Sequence, residues 1–250
     1  MRRVVITGQG TINALGADVA ATKRAMAEGR CGIGELEMRD LDRLAVRIGG
    51  QFKDFDPEAI AQSGLEFSGD LAARSGVVLG TSGGGMQTLD ENYRTVYEDG
   101  KNRVHPFVVP KLMNNAAASH VSMEFNLKGP SFTVATACSS SNHAMGQAFW
   151  MIRSGMCDVM VTGGSESMLC FGGMKAWEGL RVMSKDGCRP FSATRNGMVQ
   201  GEGAAVFVFE TLERAKARGA EILAEVVGFA MPSDAADIVM PSKQGAARAM

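Results

Sequence analysis

The 250-residue chain contains no apolar stretch approaching the roughly 20 residues that cross a bilayer, so no membrane-spanning role is expected. It also lacks an excess of positive charge: 26 Lys and Arg face 27 Asp and Glu, for a formal net charge of -1. With no basic surplus to displace counterions, a nucleic-acid ligand is set aside. Cysteine occurs five times, at Cys31, Cys138, Cys157, Cys170 and Cys188, but never as a C-x-x-C pair. That excludes the common zinc spacings and a disulfide framework, and neither a metal nor a cofactor is expected. The start, Met1-Arg2-Arg3-Val4-Val5-Ile6-Thr7-Gly8, is basic, but its apolar run is too short for a signal segment. The reading is a reduced, cytoplasmic protein. Aromatics are scarce at 6%, whereas Gly at 31 residues exceeds the roughly 7% average and Met reaches 17. Tight turns, close backbone approaches and some flexible packing follow.

Short β-branched runs alternate with helical stretches, the pattern of an α/β layered fold. Arg3 to Thr7 reads as a buried strand ending in a glycine turn, Gly8-Gln9-Gly10. Asp18 caps a helix from Val19 to Glu28 that Gly29 closes. A strand over Gly76 to Gly80 leads through small residues into a helix over Met86 to Tyr97, and Asn114 to Phe125 is a further helix. Ser131 to Ala137 is a strand running into Cys138, followed by a helix from Ser139 to Ser154. Strands over Asp158 to Thr162, Ala204 to Glu210 and Glu221 to Phe229, with a helix over Leu212 to Arg218, complete the pattern.

The strand-to-helix junction Thr136-Ala137-Cys138-Ser139-Ser140-Ser141 is the most informative stretch. A tight turn there pushes the thiol toward a cleft, and the helix N-terminus favours an anionic sulfur. Ala144, Ala148, Trp150, Met151 and Ile152 predict a helix largely enclosed by protein, which holds the nucleophile rigidly. The local pattern alone is equally compatible with Cys138 as a small buried hydrophobe. The other four cysteines lack this setting and read as packing residues. His143 lies five positions on, inside the helix, and reads as a packed residue rather than a general base; His105 and His120 have no better case.

Three other glycine motifs fail on chemistry. Gly8-x-Gly10-x-x-Asn13 has Asn where a dinucleotide fingerprint needs its third glycine. Gly163-Gly164-Ser165-Glu166-Ser167 is not the G-x-S-x-G of hydrolases, and Gly80 to Gly85 lacks the lysine of a phosphate loop. Such glycines let backbone pass close to a pocket or another strand.

With the junction in place, the chain resembles the amino-terminal half of a β-ketoacyl-acyl-carrier-protein synthase. The stretches that carry this are RRVVITGQG, VVLGTSGGG, HPFVVPKLMNNAAASHVSMEFNLKGPSFTVATACSSSNHAMG, SGMCDVMVTGGSES, CRPFSATRNGMVQGEGAAVFVFETLERAKARGAEILAEVVGF and SDAADIVMPS. The last is similar to the type I branch, the middle to the type II branch and its nodulation-protein relatives. The resemblance implies a layered thiolase-like fold, α/β/α/β/α when complete and here mainly its amino-terminal βαβ half. It implies decarboxylative Claisen condensation: an acyl group moves from acyl carrier protein to a cysteine, and a malonyl-carrier carbanion attacks it. Cys138 matches the nucleophile of the T-A-C motif, with its backbone N–H as one oxyanion donor. Trp177 matches an aromatic lining the acyl pocket, ordinary core packing being the alternative. Gly83 falls at a pocket-gating position, where glycine leaves the channel open. Arg181 matches a basic residue at the pocket mouth that meets the acidic carrier, a solvated surface arginine being the alternative.

The chain also departs from that pattern. The usual Arg-Asp-Gly is Arg195-Asn196-Gly197, expected to loosen a structural carboxylate contact. A helix that relatives carry is expected to be missing near Ile60–Ala61, and the carboxy-terminal half is expected to be absent after Met250. That half holds two catalytic histidines, a supporting lysine and the second oxyanion donor. A homodimer through the strand before Cys138 is expected. The rival reading is a non-catalytic partner subunit that sets chain length, and residue 138 separates the two, since such partners replace the cysteine. Thiolase is a third and weaker match.

Overall fold

The computed structural model describes residues 1–52 and 65–250, so the junction at Ile60–Ala61 lies outside the described residues. In chain order the elements begin with β1 (Val4–Asn13), α1 (Val19–Ala27), β2 (Gly34–Glu35), β3 (Ile48–Gly49), α2 (Gly69–Ala73) and β4 (Ser75–Gly80). Next come α3 (Met86–Tyr97), α4 (Val108–Leu112), α5 (Ala116–Glu124), β5 (Ser131–Val134), α6 (Ser140–Arg153) and β6 (Val159–Glu166). The chain continues through α7 (Phe171–Gly179), β7 (Gly203–Thr211), α8 (Leu212–Ala217), β8 (Ala224–Val226) and α9 (Lys243–Ala249).

Six strands form one mixed sheet in the order β5-β4-β6-β7-β1-β8. β4 pairs in parallel with β5 and β6, while β7 runs antiparallel to both β6 and β1. Side chains alternate across it, as the two-residue period of a strand requires. Val78, Met160, Phe209 and Val4 face α6, packing on Ala144, Ala148, Phe149 and Ile152. Val77, Leu79, Val159 and Val208 face the other way, onto Ala72 of α2 and Ala118 of α5. Phe149 and Ile152 are fully enclosed, and each contributes about 1.5–3 kcal/mol through burial.

Helices over Val19–Ala27 and Met86–Tyr97 follow their expected spans, and the Asp18 side chain accepts the Ala21 N–H as the α1 cap. Strand ends differ from expectation for identifiable reasons. β1 does not stop at a glycine turn; it runs through Gly8 and Gly10 to Asn13, because β7 pairs with it along that whole length across a bulge at Ile6/Gly8. β8 keeps only Ala224–Val226 of the expected Glu221–Phe229. The bulge cuts its pairing with β1 at one end and the start of β1 cuts it at the other. In α6, Trp150 is not enclosed but exposed, lying edge-on to Phe149 beneath the Arg153 guanidinium.

What positions the Cys138 junction is a pair of bare glycines at the ends of β4 and β6. A Cβ on Gly80 would lie 2.3 Å from the Ser140 carbonyl carbon, and one on Gly164 would lie 2.0 Å from the Ser141 hydroxyl. The first turn of α6 therefore rests directly on the sheet, at a separation only glycine allows.

Candidate active site

The β5 ladder ends at Val134, three residues before the end expected from sequence, because the backbone turns back on itself before α6. Ala137 takes a left-handed conformation with φ of 52°, which costs a non-glycine residue about 1–2 kcal/mol. Two hydroxyls hold it there. Ser140 Oγ accepts the Thr136 N–H at 2.9 Å and donates to the Ala137 carbonyl at 2.6 Å. Ser139 Oγ donates to the Thr136 carbonyl at 2.7 Å. The turn throws Cys138 outward: it is exposed and lines a cavity of about 510 Å³. Among the described residues nothing accepts the Cys138 N–H, so this donor is free to face an incoming carbonyl oxygen.

The cavity lies where β4, β6 and β1 end and α6 begins. Gly80, Gly164 and Asn13 line it from the sheet, Ser141 and Met145 from α6, and Trp177 from α7. Cys138 and Trp177, far apart in sequence, thus share one cavity. The α7 helix that brings Trp177 there has no counterpart in the sequence pattern. It is held by a third apolar cluster, of Leu36, Leu44, Val46, Leu169 and Met174. Phe171 at its start lies under Arg43 and Arg94, with guanidinium carbons 4.6 and 4.9 Å from the ring centroid. Glu178, next to Trp177, accepts the Ala45 and Val46 N–H groups at 2.6 and 2.8 Å. Burial pushes its carboxyl up, but the Val46 N–H, Lys175 and the Ala45 N–H together hold it below the ordinary range.

Gly83 does not line the cavity. Its N–H donates to Glu166 at 3.2 Å, and a Cβ there would make ordinary contact with Met168, which does form the wall. Glu166, for which no sequence motif assigns a role, gathers this loop: it also accepts from the Thr81 hydroxyl, the Ser82 hydroxyl and the Ser82 N–H. An acidic residue at the end of a buried strand was the available signal. Arg181 is exposed just beyond α7, with φ of 56°, and lies off the cavity wall. Gln200, equally unremarked in the sequence, does line the cavity.

No histidine lines the cavity; His143 packs edge-on against Phe229 with centroids 5.9 Å apart. Cys157 and Cys170 are buried as expected, and burial pushes both thiols up. Cys31 and Cys188 depart from the packing reading and are exposed, though away from the cavity. Asn196 is bonded at both ends of its amide, its oxygen accepting from Ser184 and Arg189. Its amide donates to Asp186 at 2.8 Å. With Ser184 and Arg189 it lowers that carboxyl from 3.8 to about 2. Among the described residues no His, Cys, Asp or Glu cluster is placed to hold a metal ion, and no helix is long and apolar enough to cross a membrane.

The family model for the β-ketoacyl synthase N-terminal domain matches residues 55–215. Nodulation protein E of Rhizobium leguminosarum bv. trifolii is 42% identical over 272 residues, covering 100% of this chain and 68% of its own. The 3-oxoacyl-[acyl-carrier-protein] synthase 2 of Vibrio cholerae is 35% identical over 279 residues, covering 100% of this chain and 67% of its own. Among solved structures, the ishigamide ketosynthase/chain length factor superposes with a TM-score of 0.89 at 26% identity, over 99% of this chain and 68% of that one. The fold is thiolase-like, and the chain belongs to the β-ketoacyl synthase family.

Proposed function

We propose that Cys138 accepts an acyl group from an acyl carrier protein, as the first half of a decarboxylative condensation with malonyl-acyl carrier protein. The observation that carries this is the exposed Cys138, set by a left-handed turn into the same cavity as Trp177 with its N–H unclaimed. In the transfer, a bond forms between the Cys138 sulfur and the acyl carbon. The carrier's carbon–sulfur bond breaks, and the Cys138 proton leaves on the carrier thiol. The Cys138 N–H supports the oxyanion in between. The condensation half needs proton-transfer groups and a second anion donor; the resemblance assigns these to the carboxy-terminal half of the family's fold. Arg181, exposed beside α7, suits contact with an acidic carrier, and Trp177 suits a place along the acyl chain. A cytoplasmic setting keeps such a thiol reduced.

The comparison with a ketosynthase/chain length factor favours a second reading, a non-catalytic partner subunit. Retention of Cys138 argues for the enzyme. Incubation with an acyl-loaded carrier protein, followed by intact mass measurement, decides between them. An acyl adduct on the native chain, absent from Cys138→Ala, supports the enzyme; no adduct with any acyl carrier overturns it. Among the described residues β5 pairs with β4 alone, which leaves a sheet edge suited to a homodimer, and light scattering of the purified chain tests that.

A further inference from the structure

Most polar side chains on the Cys138 cavity wall are already committed. Thr11 donates to the Ala204 carbonyl at 2.9 Å, and Asn13 bonds to Thr11, to Thr22 and to the Leu15 N–H. Thr81 and Ser82 are tied to Glu166. Gln200 is the contrast. It lines the same cavity, is only 9% exposed, and its amide nitrogen is buried with no partner. Nothing among the described residues bonds to either end of that amide. A buried amide left this way is costly unless something arrives to satisfy it.

The backbone beneath it is fixed. The Gln200 carbonyl accepts the Gly50 N–H at 2.8 Å, and the Gly50 carbonyl accepts the Glu202 N–H at 3.0 Å. Gly49 lies so close that a Cβ on it would be 3.2 Å from the Gln200 carbonyl oxygen. The side chain therefore springs from an anchored base, and a half-turn of its last bond exchanges the amide's donor and acceptor ends without changing its shape.

We infer that Gln200 is a specificity-determining residue that selects acyl groups carrying an oxygen substituent, hydroxyl or oxo, over plain alkyl chains. This rests on the acyl-accepting reading of Cys138. An oxygenated chain gives the amide a partner, whereas an alkyl chain of the same length leaves it unpaired, a difference of about one hydrogen bond.

The test loads the full chain from pantetheine thioesters of octanoate, a hydroxyoctanoate and an oxo-octanoate, reading Cys138 acylation by mass spectrometry. The native chain should favour one or both oxygenated donors by roughly tenfold over octanoate, the effect of about one hydrogen bond. Preference for the hydroxy donor alone assigns the amide oxygen as the reader, and preference for the oxo donor alone assigns the NH₂. Gln200→Met, close in volume and apolar, should bring the ratio of oxygenated to plain donors to about one, with circular dichroism confirming that the variant is folded. Equal rates on the native chain overturn the inference whether or not the variant folds, as does an unchanged ratio in a folded Gln200→Met. Absence of any Cys138 adduct is a separate result, and it removes the acyl-accepting reading itself.

Discussion

Two cysteines stand where strands give way to helices, Cys138 ahead of α6 and Cys170 as the cap of α7. Both meet a helix N-terminus, yet their environments are opposite. Cys138 follows a left-handed residue, is exposed and opens onto a cavity. Cys170 is itself in ordinary extended backbone, is 5% exposed, and burial pushes its thiol up against the pull of the Gly173 N–H. A helix start by itself does not make a nucleophile. The turn before it decides whether the sulfur is presented or sealed, and at Cys138 that turn is secured by Ser139, Ser140 and two bare glycines.

This contrast breaks most decisively at the sulfurs themselves. Cys138→Ala should abolish acyl loading and selective iodoacetamide labelling. Cys170→Ala should leave loading within about twofold, a buried Cys→Ala change acting on stability rather than chemistry. Peptide mapping after brief alkylation reads both; strong Cys170 labelling in the folded chain would erase the distinction. The next largest effect belongs to the helix seat. Gly80→Ala sets a methyl carbon 2.3 Å from backbone of Ser140, and should cost about 3 kcal/mol in urea unfolding while slowing Cys138 labelling.

Smaller effects sharpen the comparison. Ser140→Ala strips the turn of a donor and an acceptor, and should cost about 1–2 kcal/mol with a several-fold slower Cys138 reaction. Ala137→Gly relieves the left-handed strain and should be neutral or stabilising by about 0.5 kcal/mol. The 184–197 loop, remote from both helix starts, provides an acid reference. Asp186 is depressed from 3.8 to about 2, first by Asn196 and then by Ser184 and Arg189. Its contribution is complete above the ordinary carboxyl value and fades as pH falls toward 2. Asn196→Ala should therefore flatten the loss of thermal stability in that acid window, with melting curves across the range as the readout.

Much of the site was legible locally. Strand, small residues, cysteine and helix in succession marked Cys138, and Met86–Tyr97 could be bounded from composition alone. What escaped was set by partners distant in the chain. β1 passes its glycines because β7 lies alongside, which no pattern within Arg3–Gly10 encodes. The α7 helix depends on Leu36, Leu44 and Val46, more than a hundred residues earlier, and on Arg94 over Phe171. Gln200 lies between Val199 and Gly201 with no local signal, and its isolation appears only once the walls around it are assembled. Trp177 lies on the cavity wall, and Gly83 lies beside Met168, which is on it.

The bare glycines under α6 also divide the cavity into a side that cannot vary and a side that can. At Gly80 and Gly164 every other amino acid collides with backbone or with Ser141, so the thiol's location is closed to gradual change. Opposite stand Met168, Met198, Trp177 and Gln200, including long unbranched side chains that repack readily. Diversification of what the protein accepts should therefore accumulate on that wall alone, and a library confined to those four positions should shift acyl selectivity while leaving the sulfur where it is.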